Sequence, residues 1–181
     1  IFICFLITTY EWLKLSKKIL FKFLGTIFIV ISFYSIFKIR NDFDREYFHL
    51  LIVATICVST DIGGYSFGNF FKGPKLTMIS PRKTYSGVIG SFLLSVLFTN
   101  LLLKYIEGIN SFEFSKETFL FILIVSLVSQ IGDIIISYFK RKSKIKDTGD
   151  IIPGHGGILD RIDGMIFAFP FSYVVFLNWN F

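Results

Sequence analysis

The sequence is poor in the residues that build most metal and covalent catalytic sites. Its 181 residues include only two cysteines, Cys4 and Cys57, and both lie in apolar runs. Two isolated thiols form neither a disulfide framework nor a thiolate metal site. No His/Cys cluster has the spacing of a zinc site, and no Ser/His/Asp set suggests a hydrolase. His49, near the end of an apolar run, is expected to be structural.

The chain also has too few polar residues for a soluble domain of its size. Hydrophobic residues make up 53% of the chain and charged residues only 18%, and the mean hydropathy is +0.65. Apolar runs of about 20 residues, when helical, match the hydrocarbon thickness of a bilayer. No internal repeat or soluble domain is evident. The composition therefore indicates an integral membrane protein.

We predict an all-α fold, a polytopic transmembrane helix bundle with about five full spans and an N-terminal partial one. The partial span is 1–13, and the full spans are 19–37, 47–71, 86–106, 118–139 and 162–181. The third is interrupted by Asp61 and glycines. Because Ile1 is not Met and lies inside an apolar run, we expect an N-terminal truncation. We assign 1–60 to scaffold helices and 61–181 to a catalytic transmembrane region.

The positive charge of the chain is explained without nucleic acid. The net charge is +6, and Lys and Arg accumulate in the cytoplasmic loops of membrane proteins. If the spans alternate, one face receives 13 of the 19 Lys and Arg residues, namely Lys14, Lys17, Lys18, Lys72, Lys75, Arg82, Lys83, Lys140, Arg141, Lys142, Lys144, Lys146 and Arg161. By the positive-inside rule this face is cytoplasmic. It also carries the polar stretches 72–84 and 140–161, which we expect to build one site.

An aspartate inside an apolar span is the first candidate for chemistry. A carboxylate at that depth costs about 2.5–3.5 kcal/mol on insertion scales, so it faces a wet cavity, a partner or an ion. Helical spacing places Gln130, Asp133, Ser137 and Lys140/Arg141 on one stripe. The alternative is a structural hydrogen-bond network between helices.

A second pair of acids, Asp160 and Asp163, lies three residues apart at the start of the last span. Acids that converge beside many cations suggest a hard metal ion, and Mg²⁺ uses one or two carboxylates together with substrate phosphates. The alternative is that both aspartates cap the final helix. The two explanations are compatible.

A basic cluster and a glycine-rich loop separate Asp133 from that pair. The cluster, 140–146, is either an anchor for anionic lipid headgroups or a clamp for phosphate. The loop PGHGG at 153–157 favours the clamp, because glycines let backbone N–H groups approach an anion and His155 can donate to phosphate.

Two stretches earlier in the chain can each be interpreted either as structural or as part of a site. Asp61 is another acid inside a span, and the glycines after it fit close helix packing through small residues. The stretch SPRKT at 80–84 is either a turn before a helix or a source of hydroxyls and cations for a phosphate.

The last third of the chain contains a long ordered pattern, SYFKR at 137–141, KDTG at 146–149 and IPGHGGILDRID at 152–163. This pattern resembles the signature of phosphatidate cytidylyltransferases, also called CDP-diacylglycerol synthases. The resemblance covers roughly 60–181, and the first 60 residues match only as generic spans.

Two shorter upstream motifs of that family also have counterparts, in the expected order. They are Asp61…Tyr65…Gly68 and SPRKT at 80–84 followed by Gly87. The chain departs from the family pattern at Ser86, where Glu is usual, and at Asn69 and Phe71, where a basic residue and a glycine are usual.

The resemblance implies transfer of CMP from CTP to phosphatidic acid, giving CDP-diacylglycerol and pyrophosphate in phospholipid biosynthesis. It implies Mg²⁺ as cofactor, with a monovalent cation such as K⁺ as a candidate second ion. The family's metal ligands would map onto Asp133 and Asp160, and the acid pair adds Asp163 as a further candidate metal ligand. The catalytic candidates are Asp133, Asp160, Lys146 and Arg161. Substrate-binding candidates are Asp61, Ser80, Lys83, Thr84, Ser137, Lys140, Arg141, His155, Gly156 and Gly157.

We expect CTP and phosphatidic acid as substrates, the lipid bilayer as environment, no nucleic acid, and a homodimer as one candidate assembly. The expected location is a bacterial cytoplasmic (inner) membrane, with the active site facing the cytoplasm. Alternatives are a related CTP-dependent lipid kinase, a prenyl-lipid cytidylyltransferase, or an ion-coupled transporter. A transporter gives no reason for the stretch from PGHGG to DRID.

Overall fold

The computed structural model describes residues 1–42, 47–78, 80, 83–107, 115–151 and 156–178. Within these ranges the chain forms seven helices: α1 Phe2–Leu15, α2 Ile19–Asn41, α3 Phe48–Phe71, α4 Tyr85–Glu107, α5 Lys116–Lys142, α6 Leu159–Ile162 and α7 Met165–Asn178. No strand occurs in the described part of the chain, where an isolated β-bridge pairs Lys75 with Thr84. The all-α prediction is confirmed.

Four of the described helices, α2 to α5, are long and apolar enough to cross a membrane. They correspond to four of the predicted full spans. The fifth predicted span appears as the one-turn helix α6 followed by the shorter apolar helix α7. Residues 179–181, its predicted end, lie outside the described part.

Helix α4 shows that the bundle is arranged as expected in a lipid environment. Its small polar residues Ser91, Ser95 and Thr99 are buried, whereas Leu93, Leu97 and Leu101 are exposed. The spacing of four residues places each set on one face of the helix. Polar groups therefore face the bundle interior and leucines face outward, which suits hydrocarbon rather than water.

Helix α3 runs through Asp61 and its glycines without a break, so the residues that interrupt the apolar run do not interrupt the helix. The glycines instead allow close packing against α4. A Cβ at Gly63 would clash with the carbonyl oxygen of Gly90, and one at Gly87 would lie 2.7 Å from that of Gly64. The small-residue packing interpretation is therefore correct, and α3 with α4 forms the most extensive helix pair of the bundle.

Helix α1 is fastened to α2 by a tryptophan. The Trp12 indole N–H donates to the Phe21 carbonyl at 3.1 Å. A Cβ at Gly25 would overlap the indole ring, so only glycine leaves room for it. Trp12 also packs edge-on against Phe139 of α5, with ring centroids 5.0 Å apart. These contacts fix the rotation of α1 and direct the preceding residue, Glu11, into the protein.

The three basic connections predicted to share one face do meet at one end of the bundle. Ser143, just after α5, donates to the Leu15 carbonyl at the end of α1 at 2.6 Å. Lys83, in the connection between α3 and α4, donates to the Gln130 carbonyl of α5 at 3.2 Å. This end carries the candidate site.

Candidate active site

A cavity of about 400 Å³ opens at this end between α3, α4, α5 and the α6 segment. Most of the lining side chains are polar or charged. The lining comprises Thr60, Asp61, Gly64, Tyr65, Ser80, Lys83, Thr84, Gly87, Val88, Ser91, Gln130, Asp133, Lys140, Asp147, Asp160, Arg161 and Asp163. The two stretches expected to build one site, 72–84 and 140–161, therefore both contribute to it.

Lys83 and Asp133 form the ion pair at the centre of the cavity. The Lys83 Nζ lies 2.5 Å from Asp133 Oδ2. Its position is set by the turn before α4, where the Leu76 N–H donates to the Lys83 carbonyl at 2.7 Å. The other Asp133 oxygen accepts from the Ser137 hydroxyl at 3.2 Å, so two residues of the predicted α5 stripe are in contact.

Two other acids face the same cavity with few partners. Asp61 forms no hydrogen bond or ion pair with the described residues. Asp163 is only 8% exposed, and its Oδ1 accepts one bond, from the Gly164 N–H at 2.8 Å. Burial disfavours the charged form of Asp163, and the carboxylates of Asp133 and Asp61 in the same cavity disfavour it further. This group of acids would be stabilised by a cation.

Asp160 contrasts with them, because both its oxygens are engaged. Oδ1 accepts from Lys140 Nζ at 2.8 Å, and Oδ2 accepts from the N–H groups of Thr148 at 2.7 Å and Gly157 at 3.0 Å. Burial raises the pKa of Asp160, but these hydrogen bonds outweigh it and hold the pKa below its usual value. Asp160 does not act as a helix cap, since its bonds go back to α5 and the loop.

The structure adds an acid that the sequence analysis did not include in the site. Glu11 of α1 is 1% exposed. It accepts from the Thr148 hydroxyl at 3.0 Å and from the N–H groups of Ile158 at 3.0 Å and Leu159 at 2.8 Å. A helix of the predicted scaffold region thus reaches the loop of the predicted catalytic region. The only signal in the sequence was a lone acid within an apolar run.

The glycines of the loop meet the protein's own carboxylates. Gly156 has a left-handed φ of +86°, which favours glycine, and a Cβ there would lie 2.9 Å from Asp160 Oδ2. A Cβ at Gly157 would collide with the Thr148 hydroxyl and lie 2.5 Å from Glu11 Oε2. Neither glycine lines the cavity. The N–H of Gly157 was predicted to meet a phosphate, and here it donates to Asp160.

The predicted site residues separate into two groups. Nine of them line the cavity: Asp61, Ser80, Lys83, Thr84, Asp133, Lys140, Asp160, Arg161 and Asp163. Arg141 and Lys146 are exposed outside the lining, and Ser137 lies behind Asp133. His155 falls outside the described residues.

Sequence reasoning missed the hydroxyl groups below the acids. Thr60 of α3 donates to the Ser126 hydroxyl of α5 at 2.7 Å, and Ser91 of α4 donates to the Thr60 carbonyl at 2.7 Å. These bonds join three helices at the base of the cavity. The available signal was the four-residue recurrence of Ser and Thr along an otherwise apolar helix.

Whether a metal ion fits the cavity depends on which carboxylate oxygens are free to accept further ligands. Among the described residues, no three His, Cys, Asp or Glu side chains converge closely enough to hold an ion by themselves. Mg²⁺ does not need three, because it binds one or two carboxylates and completes its shell with water and substrate phosphates. Asp61, Asp133 and Asp163 provide oxygens of the required kind. The residues therefore fit a hard divalent cation.

The fold and the cavity define a multi-pass helical membrane protein with a charged site at one end of its bundle. The model of the cytidylyltransferase family matches residues 1–179. The chain belongs to this family. The match includes the first 60 residues, which the motif resemblance had left as generic spans.

Individual relatives agree with the family assignment. The chain is 38% identical over 175 residues to the phosphatidate cytidylyltransferase of Rickettsia bellii, covering 91% of this chain and 73% of the relative. It is 38% identical over 170 residues to that of Rickettsia typhi, covering 88% and 72%. With that of Staphylococcus aureus it shares 33% identity over 163 residues, covering 87% and 59%.

Proposed function

We propose that this chain is a phosphatidate cytidylyltransferase, which transfers CMP from CTP to phosphatidic acid and releases pyrophosphate. The observation that carries the proposal is the cavity, in which Lys83, Lys140 and Arg161 stand beside acids at the end of a membrane bundle. A phosphate-rich soluble substrate and a lipid phosphate require such a place, where cations offset their repulsion while the acyl chains stay in the bilayer.

The reaction proceeds by attack of a phosphatidate phosphate oxygen on the α-phosphorus of CTP. The new P–O bond forms as the bond between the α-phosphorus and the α–β bridging oxygen breaks, and pyrophosphate carries the electron pair away. A phosphate monoester is already ionised near pH 7, with a second pKa of about 6. The attacking group therefore needs no general base, and the protein's task is to position the two substrates and stabilise the developing charge.

Each lysine of the cavity is held in place by a different aspartate. Lys140 is held by Asp160 at 2.8 Å and Lys83 by Asp133 at 2.5 Å. Both ammonium groups line the cavity, so each lies within reach of a bound phosphate. We propose that Lys140 and Arg161 stabilise the pyrophosphate as it leaves and that Lys83 is a further phosphate-binding cation.

Asp133 and Asp163 would hold Mg²⁺, with Asp61 close to them. Asp160 retains an unused lone pair on Oδ1, since a carboxylate offers about four acceptor sites and Lys140 takes one of them on that oxygen. When bound, the ion offsets phosphate charge and polarises the α-phosphoryl group. A monovalent cation such as K⁺ and a homodimer stay predictions, as does an inner-membrane location with the cavity facing the cytoplasm.

The direct experiment is pyrophosphate release from CTP by the full chain in mixed micelles. We expect release only when phosphatidic acid and Mg²⁺ are both present. Omission of either is the control. Release that does not depend on the lipid would contradict the proposal, as would its absence from a folded preparation supplied with all three components.

The alternatives differ in which bond of CTP breaks and in which lipid accepts. A CTP-dependent lipid kinase would transfer the γ-phosphate and release CDP, and a prenyl-lipid cytidylyltransferase would use a prenyl phosphate. An ion-coupled transporter would move ions without nucleotide. The family assignment favours cytidylyl transfer, and the names of the relatives favour phosphatidate as acceptor.

A further inference from the structure

Glu11 is a buried carboxylate in a helix that contributes no residue to the cavity lining. The cost of keeping such a group away from water is met only when its oxygens are well bonded. Here Oε1 accepts from the Ile158 N–H, and Oε2 accepts from the Leu159 N–H and the Thr148 hydroxyl. All three donors belong to the segment that carries Asp160.

A continuous line of polar contacts runs from Glu11 to the cavity. The Thr148 hydroxyl lies 3.0 Å from Glu11 Oε2 and also 3.0 Å from Asp160 Oδ2. The other oxygen of Asp160 holds the Lys140 ammonium at 2.8 Å. A displacement of Glu11 would therefore reach Lys140 through two intermediate side chains.

The loop leaves space for this carboxylate at two glycines. A Cβ at Gly149 would lie 2.8 Å from Glu11 Oε1, and one at Gly157 would lie 2.6 Å from the same oxygen. Gly157 belongs to the loop PGHGG, which the sequence analysis assigned to phosphate binding. The lack of side chains at both glycines lets the loop close over Glu11.

We infer that Glu11 is a positioning residue for cytidylyl transfer, which fixes the loop and, through Thr148 and Asp160, places Lys140 in the cavity. The inference rests on the proposed function. It extends the functional machinery to α1, in the region predicted to be only a scaffold.

The arrangement requires a carboxylate rather than an amide. Glutamine has nearly the same shape, but its NH₂ group donates and does not accept. In either orientation of the amide, that NH₂ would face the N–H of Ile158 or of Leu159. One of the two backbone donors would lose its acceptor. Glu11→Gln therefore weakens the hydrogen bonding between α1 and the loop with little change in side-chain volume.

The first measurement is hydrogen exchange of the full chain in detergent without substrate. Glu11→Gln should speed exchange of the Ile158 or the Leu159 amide, whichever loses its acceptor, by about tenfold or more, since that amide would open locally. The matched control is Thr8→Val, one turn earlier on α1, because the buried Thr8 hydroxyl has no hydrogen-bond partner among the described residues. Exchange equal to wild type in Glu11→Gln would overturn the inference.

The second measurement is steady-state cytidylyl transfer by the same variants, well below their unfolding temperatures. A misplaced Lys140 should lower kcat by about tenfold or more with KM for CTP changed less, because the loss is in transition-state stabilisation. A merely structural Glu11 would lower the folded fraction and leave kcat per folded molecule unchanged, which would contradict the inference.

Thr148 provides a variant that leaves Glu11 itself unchanged, in case Glu11→Gln fails to fold. Thr148→Val should lower kcat and Thr148→Ser should restore it, because the hydroxyl lies 3.0 Å from each carboxylate and shares its single proton between them. Equal activity of the two Thr148 variants would overturn the proposed line of contacts. If wild type transfers no cytidylyl group but Glu11→Gln still speeds amide exchange, the proposed function is wrong. The role of Glu11 in holding the loop through its hydrogen bonds would still be supported.

Discussion

Two sets of acids meet at the same end of the bundle and differ in how their oxygens are used. Asp61, Asp133 and Asp163 face the cavity, and their partners are Lys83, the Ser137 hydroxyl and one N–H. We call these the open acids. Asp160 and Glu11, the closed acids, accept hydrogen bonds from the loop between α5 and α6, and Asp160 also binds Lys140.

The role of each carboxylate therefore depends on the hydrogen-bond donors around it and not on its position in a sequence motif. Closed acids are stabilised as charged groups, because backbone N–H groups and a lysine surround them. The open acids have fewer such partners: Asp133 has one lysine and one hydroxyl, and Asp163 has one N–H. Their remaining oxygen lone pairs are therefore available to a cation or a substrate. Asp160 and Asp163 are three residues apart and belong to different sets.

The largest effect should come from removing the central open acid. Asp133→Asn should lower kcat/KM for cytidylyl transfer by about 100-fold or more, since it removes both a candidate metal ligand and the partner of Lys83. Asp150→Asn, an exposed acid of the adjoining loop, is the control and should keep wild-type activity. Retention of activity by a folded Asp133→Asn protein would contradict the assignment of the open acids.

A sharper comparison uses the same substitution in each set. Asp160→Asn should lower the unfolding temperature at pH 7, because the charged form of Asp160 is favoured by its hydrogen bonds. Asp163→Asn should raise it or leave it unchanged in the absence of Mg²⁺, because burial disfavours the charged form of Asp163. Thermal unfolding in detergent measures both, and shifts of the same sign would contradict the distinction.

A smaller effect is expected for the lysine that neutralises an open acid. Lys83→Met should lower kcat/KM by about tenfold, because the cavity loses one of its phosphate-facing cations and Asp133 loses its ion pair. The control is Lys104, an exposed lysine at the other end of α4. Lys104→Met should leave kcat/KM unchanged. Equal activity of the two variants would remove Lys83 from the site.

The smallest effect is the acid dependence of stability. The folded-state pKa of Asp160 is depressed, so its stabilisation is present above the unfolded-state pKa of about 3.9 and is lost as the pH falls through the folded-state value. Wild type should therefore lose more stability than Asp160→Asn on acidification below about pH 4. Parallel curves of unfolding temperature against pH would show that the hydrogen bonds of Asp160 contribute no net stabilisation.

Much of the fold could be predicted from the sequence, because spans of about 20 apolar residues have few structural alternatives in a bilayer. The helix bounds lie within a few residues of those expected, except at the last span. There α6 and Gly164 precede α7, so Asp160 lies in the one-turn helix α6 and Asp163 follows it, and the two do not share one long helix.

The side-chain partners could not be predicted in the same way. Spacing correctly placed Gln130, Asp133 and Lys140 on one face of α5, because helical periodicity is local. Whether a carboxylate meets Lys83, a loop N–H or nothing depends on contacts between segments far apart in the chain. Glu11 and Ile158 are separated by 147 positions, and no local pattern relates them.

The central claim is that the cavity of the open acids transfers a cytidylyl group to phosphatidic acid. Its most direct test compares CTP labelled at the α-phosphate with CTP labelled at the γ-phosphate, in micelles with phosphatidic acid and Mg²⁺. Wild type should move only the α-label into lipid, and Asp133→Asn should move about 100-fold less of that label. Transfer of the γ-label into lipid, or equal α-label transfer by both proteins, would contradict the central claim.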